Sequence, residues 1–191
     1  MKKQKGTILL ILLLGGIIFG NNQLFLFVEE HLKQNFTKYQ IENNLHIYLA
    51  QTIIDESEFV NCPDINPLLV LALMEQESTY RNVFGDNGNA VGFFQIHEDT
   101  ANYVATFYPD IKKKLEQLKS FKDLRFYPVL QTKIAIRYLY LTYKYRANQD
   151  LLITLTLYNG RNPNFKYNVY IAGIMSKYSK ILERYIGFEY K

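Results

Sequence analysis

The sequence predicts a mostly α, compact globule behind an N-terminal apolar segment. Three observations predict it. Apolar residues recur at three- and four-residue steps, as in Leu45, Tyr48, Leu49 and Ile53. Helix punctuation falls at intervals, with Asn66-Pro67 as a start and Asn159-Gly160 as a stop. Beyond a possible short piece around residues 91–96, no stretch reads as a strand.

The chain opens with Lys2, Lys3 and Lys5, and residues 7–19 are almost entirely apolar. A positive flank before an apolar run directs export. A cleaved signal has Gly20 at the cut, with Ile18 a poor fit two positions earlier. An uncleaved anchor runs over residues 8–28, about 21 residues interrupted by Asn21, Asn22 and Gln23. At ~1.5 Å per residue that length just crosses the hydrocarbon. Residues 1–28 are therefore a signal or anchor segment, with the lysines on the cytoplasmic side. The rest faces the periplasm or exterior, or is secreted if the signal is cut.

Residues 29–60 have a helical pattern, either a stalk or the N-terminal helix of the domain. Glu29, Glu30 and Lys33 suggest a wet stalk just outside a membrane. Asn61-Cys62-Pro63-Asp64 ends it, and residues 61–191 make the main domain. Asn66 caps the next helix and Pro67 takes its first position. Leu68 to Met74 follow without a polar face, which marks a central helix. Residues 81–90 form a loop of turn residues, in which Asp86 belongs to Gly85-Asp86-Asn87-Gly88. His97 and Glu98 begin a helix that stops before Pro109. Further helices are expected over 111–118, 128–147, 151–158 and 165–185.

Composition excludes several functions. The net charge is +4, and no dense basic run exists beyond the first five residues, so nucleic acid is not an expected partner. A mild positive balance suits a polymer or surface carrying carboxylates or phosphates. The single Cys62 rules out an internal disulfide, and His31, His46 and His97 are scattered. No metal and no cofactor is expected. Sixteen Tyr and thirteen Phe with no Trp supply amphipathic faces for a sugar groove, or simply for packing.

The informative stretch is 66–97. Its apolar helix ends Met74-Glu75-Gln76-Glu77-Ser78. Desolvating a carboxylate there is costly unless it is paired, wet or protonated. Glu75 and Glu77 are two residues apart, about 200° around a helix, so they cannot face one another. Periodicity alone does not choose between them.

A resemblance does. Residues 66–78 resemble the first motif of the soluble lytic transglycosylase (SLT, goose-type-lysozyme-like) family, an apolar helix ending in Glu-Ser. Gly92-Phe93-Phe94-Gln95-Ile96 is similar to its Gly-Leu-Met-Gln-Ile motif, with Phe-Phe a change of shape and not of chemistry. Leu157-Tyr158-Asn159-Gly160 resembles Ala-Tyr-Asn-Ala-Gly, one residue short, with Arg161 following directly. Tyr170-Ile171-Ala172-Gly173-Ile174 resembles the closing Tyr-Val-x-x-Val, although Lys166 and Tyr167 stand where the family often has an acid. The four motifs lie in family order across about 66–178.

The resemblance implies a lysozyme-like helical catalytic domain at 61–191 and a peptidoglycan substrate. It implies cleavage of MurNAc-β-1,4-GlcNAc bonds with formation of 1,6-anhydroMurNAc ends. Glu77 is then the catalytic acid/base. Ser78, Gly92, Gln95, Tyr158, Asn159 and Tyr170 are then candidates for substrate binding or for shaping the groove. Ser78 bonds Glu77 or substrate. Gly92 lets backbone approach closely. Gln95 contacts sugar or fixes the groove. Tyr158 orients Glu77 or the N-acetyl group, Asn159 binds sugar, and Tyr170 supports the acid or packs in the core. Glu75 is a surface or salt-bridged residue. With Asp86 a turn residue, one Glu acts alone, which agrees with transglycosylation more than with hydrolysis. Two other functions stay open: a goose-type hydrolase, and a non-catalytic wall-binding component of a secretion, conjugation or phage apparatus.

Overall fold

The computed structural model describes residues 22–160 and 169–189. Within them the chain forms helices α1 (22–35), α2 (Lys38–Glu42), α3 (Leu45–Val60) and α4 (Pro67–Ser78). Three two-residue strands follow: β1 (Phe84–Gly85), β2 (Ala90–Val91) and β3 (Ile96–His97). Helices α5 (Glu98–Phe107), α6 (Pro109–Leu115), α7 (Pro128–Tyr145), α8 (Leu151–Tyr158) and α9 (Val169–Glu189) complete it. A 3-10 turn, Phe121–Phe126, leads into α7.

Helix α4 is the axis of the core. Asn66 Oδ1 accepts from Leu69 N–H at 3.0 Å, and Pro67 occupies the first turn, where its missing N–H costs nothing. Every residue from Pro67 to Met74 is buried, so the helix has no solvent face. Its heaviest packing is against α9, and α3 packs chiefly on α7. Gly173 leaves room on α9 for the Gln76 side chain of α4: a Cβ there would lie 2.7 Å from Gln76 Oε1.

The segment read as a wet stalk is corrected. Phe27, Val28, Leu32 and Phe36 are buried in the common core, as are Leu49 and Ile53 of α3. Burying these apolar side chains outweighs the polarity of Glu29, Glu30 and Lys33. The 29–60 pattern is also not one helix. Thr37 starts α2 with a capping box to Gln40, and Asn44 at φ 55° separates α2 from α3. The anchor expectation falls mainly on residues 1–21, outside the described residues, and its end at Val28 lies in the globule. No helix among the described residues is long and apolar enough to cross a membrane.

Downstream boundaries shift for local reasons. Pro109 starts α6 instead of only ending α5, because it fits a first helical position. The expected strand at 91–96 is a hairpin: Val91 pairs with Ile96 and Ala90 with His97, with a tight turn between. β1 adds antiparallel to β2 through Phe84–Val91 and Gly85–Ala90. The start of the helix expected at 165–185 lies partly outside the described residues.

An ion cluster around the buried Arg137–Glu56 pair, unforeseen from the sequence, locks α3, α6 and α7. Arg137 donates to both oxygens of Glu56, at 2.7 and 3.1 Å, and to both of Asp110, at 2.7 and 2.9 Å. Lys133 adds a 2.9 Å contact to Glu56. The guanidinium lies 4.6 Å from the ring centroids of both Phe59 and Tyr108. Its one sequence signal is an arginine inside the apolar run Ile134 to Leu139.

Candidate active site

Glu77 lies in the last turn of α4. Thr79 and Tyr80 follow in left-handed backbone, at φ 53° and 56°, which turns the chain sharply away. This stops the helix with Glu77 half-buried at its end. Burial pushes the Glu77 carboxyl up to about 7, and a hydrogen bond from Tyr170 opposes the rise. The Tyr170 hydroxyl donates to Glu77 Oε1 from α9. An acid near 7 is well matched to giving and taking a proton at neutral pH.

Tyr158 is brought to the same place from α8. Burial first, and the Glu77 carboxylate second, hold its phenol neutral. Its hydroxyl donates to Phe94 carbonyl oxygen at 3.0 Å, so it supports the hairpin turn beside the acid. Asn159 is half-buried and ends α8, its N–H returning to Leu155 O. Arg161 and Pro163 lie outside the described residues.

The 92–96 segment is gripped from several sides. Ser78 Oγ is 2.8 Å from Phe93 O and 3.2 Å from Met74 O. Gln131 Oε1 accepts from Phe93 N–H at 3.0 Å, while the Gln131 amide nitrogen donates to Leu124 O at 2.9 Å. Gln95 Nε2 donates to Gly92 O at 2.8 Å and Val83 O at 3.2 Å. The Phe93 and Phe94 side chains are fully buried, and Phe93 stacks on Phe36 with centroids 5.5 Å apart.

Two expected contacts fall within the protein, and Gln95 takes the groove-fixing one of its two expected roles. Ser78 is buried and bonds the hairpin, not Glu77. Gly92, at φ 84°, does admit a close neighbour, but that neighbour is Gln131, whose Oε1 is 2.0 Å from where a Cβ would sit. Gln95 fixes the turn; both of its amide contacts are internal. Asp86 stands at the hairpin's outer end with a 59% exposed side chain, 4.0 Å from His97. Glu75 accepts from Tyr80 at 3.4 Å. Among the described residues no group of His, Cys, Asp and Glu is arranged to hold a metal.

Sequence reasoning missed a chain of contacts behind Glu75 that runs from exposed Arg184 inward to buried His31 and Tyr80. Arg184 Nη1 lies 3.2 Å from His31 Nδ1, and His31 Nε2 lies 2.7 Å from Tyr80 Oη. A guanidinium only donates, so Nδ1 accepts and Nε2 carries the proton. Tyr80 then passes its own proton toward Leu71 O or Glu75. Burial first, and the Arg184 charge second, lower the His31 pKa to about 4.

A buried helix ending in a half-buried acid, a short antiparallel hairpin beside it and tyrosines closing from two later helices define a lysozyme-like domain. The chain belongs to the transglycosylase SLT domain family, whose model matches residues 60–172, more than half the chain. No curated protein matches the sequence. Membership gives the chain a lytic-transglycosylase-type, peptidoglycan-acting function in general terms. Helices α1 and most of α3 precede the matched span, yet they share its core.

Proposed function

We propose that this chain is a peptidoglycan lytic transglycosylase in which Glu77 is the lone acid/base. The observation that carries the proposal is the Glu77 carboxyl, raised to about 7 by burial and met by the Tyr170 hydroxyl. Protonated Glu77 gives its proton to the glycosidic oxygen as the bond from MurNAc C1 to that oxygen breaks. The resulting carboxylate takes the proton of the same sugar's 6-hydroxyl, whose oxygen closes on C1. A 1,6-anhydro end forms, no water is consumed, and Glu77 regains its proton. The substrate's N-acetyl group stabilises C1 in place of a second carboxylate. Tyr170 holds Glu77 in position, and Tyr158 fixes the turn that faces the acid.

Mass spectrometry of fragments released from purified sacculi tests the reaction. The expected product carries the 1,6-anhydro end. A product heavier by one water makes the chain a hydrolase, and binding without any release makes it a wall-binding component. Glu77→Gln is expected to abolish release with its circular dichroism unchanged; full activity in that variant removes Glu77 from the role. Export to the envelope, inferred from Lys2, Lys3, Lys5 and the apolar residues 7–19, belongs to the same proposal. A full-length chain found only in the cytoplasmic fraction would overturn that part.

A further inference from the structure

A second groove of about 740 Å³ runs between α2 and the chain that leaves α4, with Arg125 to Pro128 as its third wall. Glu77, Tyr158 and Tyr170 do not line it. Arg81 and Arg125 do, and each guanidinium is pinned by one edge. Arg81 Nε donates to Ser78 O at 3.1 Å, and Arg125 Nε donates to Asn82 O at 3.0 Å. Among the described residues neither arginine is paired with a carboxylate. No Asp or Glu lines the groove, and the one acid of α2, Glu42, is 3.7 Å from Lys38.

Much of the remaining polarity in the groove is already engaged. Asn82 Oδ1 faces the Gln131 amide at 3.3 Å, and Asn82 Nδ2 donates to Arg125 O at 2.8 Å. Gln40 Oε1 accepts from Thr37. What remains is dominated by two oriented guanidiniums, which only donate and which match a carboxylate in shape and charge. Tyr39 and Phe126 are exposed by 74% and 77%, leaving two bare rings on the groove's lining for apolar parts of a ligand. Sugar hydroxyls ask for mixed donors and acceptors; this groove offers donors beside aromatic faces.

We propose that this groove binds the carboxylate-bearing peptide stems of the wall polymer while Glu77 acts on the glycan. The idea rests on the peptidoglycan reading above. Arg81 links the two sites: its N–H donates to Ser78 Oγ at 3.2 Å, next to Glu77 in sequence. Arg125 carbonyl and Asn82 join it to Gln131, which holds the hairpin turn.

The test is calorimetric titration of the full-length protein with the sugar-free tripeptide L-Ala-γ-D-Glu-L-Lys. Binding is expected to weaken by about tenfold or more in the Arg81→Gln, Arg125→Gln double variant. It is expected to weaken comparably in the wild type when the peptide carboxyls are methylated, a measurement that does not depend on a variant folding. Equal affinity for free and methylated peptide overturns the proposal. So does an N-acetylglucosamine oligomer that binds the wild type and is lost in the double variant, which makes the groove a sugar site. Sacculus digestion runs in parallel. Peptide binding without fragment release fails the transglycosylase reading alone, while release without peptide binding fails this one alone.

Discussion

Tyr170 and Glu77, 93 residues apart in the chain, meet through one hydrogen bond from phenol to carboxylate. The bond favours the charged acid while burial favours the neutral one, and burial wins. The candidate site is this opposition, with the hairpin turn fixed beside it.

Tyr170→Phe removes the donor and leaves the burial. The Glu77 pKa is then expected to rise further, since the lost bond favoured ionisation. In a pH–rate profile of kcat/KM, the alkaline limb near neutrality should move to higher pH. The rate should fall on the order of tenfold, the scale of one hydrogen bond to a charged group. An unmoved limb would assign Tyr170 to packing alone.

Stability should depend on pH through two buried groups of opposite sign. Folded Glu77 keeps its proton to about 7, against 4.5 as its ordinary value, so the folded state binds more protons in that window. Stability contributed by protonated Glu77 is lost as pH rises through it. Folded His31 refuses a proton down to about 4, against 6.5 unfolded, so its contribution is lost as pH falls through that window. The two slopes offset each other where the windows overlap. Glu77→Gln should gain about 1–3 kcal/mol in urea unfolding at about pH 8. It should also expose the His31 loss on acidification. A variant as pH-flat as the wild type between about pH 4.5 and 6.5 would contradict the His31 assignment.

Ser78→Ala should be felt as a loosened turn. Phe93 O and Arg81 N–H each lose the hydroxyl that meets them. Leaving a buried carbonyl unmet costs about 1–3 kcal/mol. Thermal unfolding should drop by several degrees, with kcat falling more than KM rises. Unchanged melting would mean that water replaces the hydroxyl at no cost.

Two glycines give a contrast that calorimetry can read. An alanine at Gly173 would meet Gln76 Oε1 at 2.7 Å, the far end of a flexible side chain that can swing away from its 3.0 Å contact with Lys177. An alanine at Gly92 would meet Gln131 Oε1 at 2.0 Å, with backbone at φ 84°. Gln131 is held at both ends of its amide and cannot yield. Gly92→Ala should therefore cost more than about 2 kcal/mol, and Gly173→Ala under about 1 kcal/mol. Equal costs would show that the Gln131 clamp is soft.

The axis of the fold was legible because α4 has no polar face and carries both start signals. The cost of burying acids at such a helix end was legible too, from desolvation alone. What each motif residue touches was not. Ser78 read as a partner of Glu77 or substrate, Gly92 as a close-approach point and Gln95 as a sugar contact or groove fixer, because small and polar residues near an acid suit a ligand as well as a backbone. Only the folded turn shows that their partners are Phe93 O, Gln131 and Val83 O. The stalk reading failed for a related reason: Phe27, Val28 and Leu32 have an apolar face whose partner is remote in sequence. Arg137, Glu56 and Asp110 are far apart along the chain, and no local period joins them.

The same helix α9 that packs along α4 also brings the Tyr170 hydroxyl to Glu77. In the unfolded chain Glu77 has its ordinary value of 4.5 and is deprotonated at neutral pH, so a carboxyl that holds its proton to about 7 is a property of the packed fold. Under the proposed mechanism, a chain that has not folded is therefore without its acid.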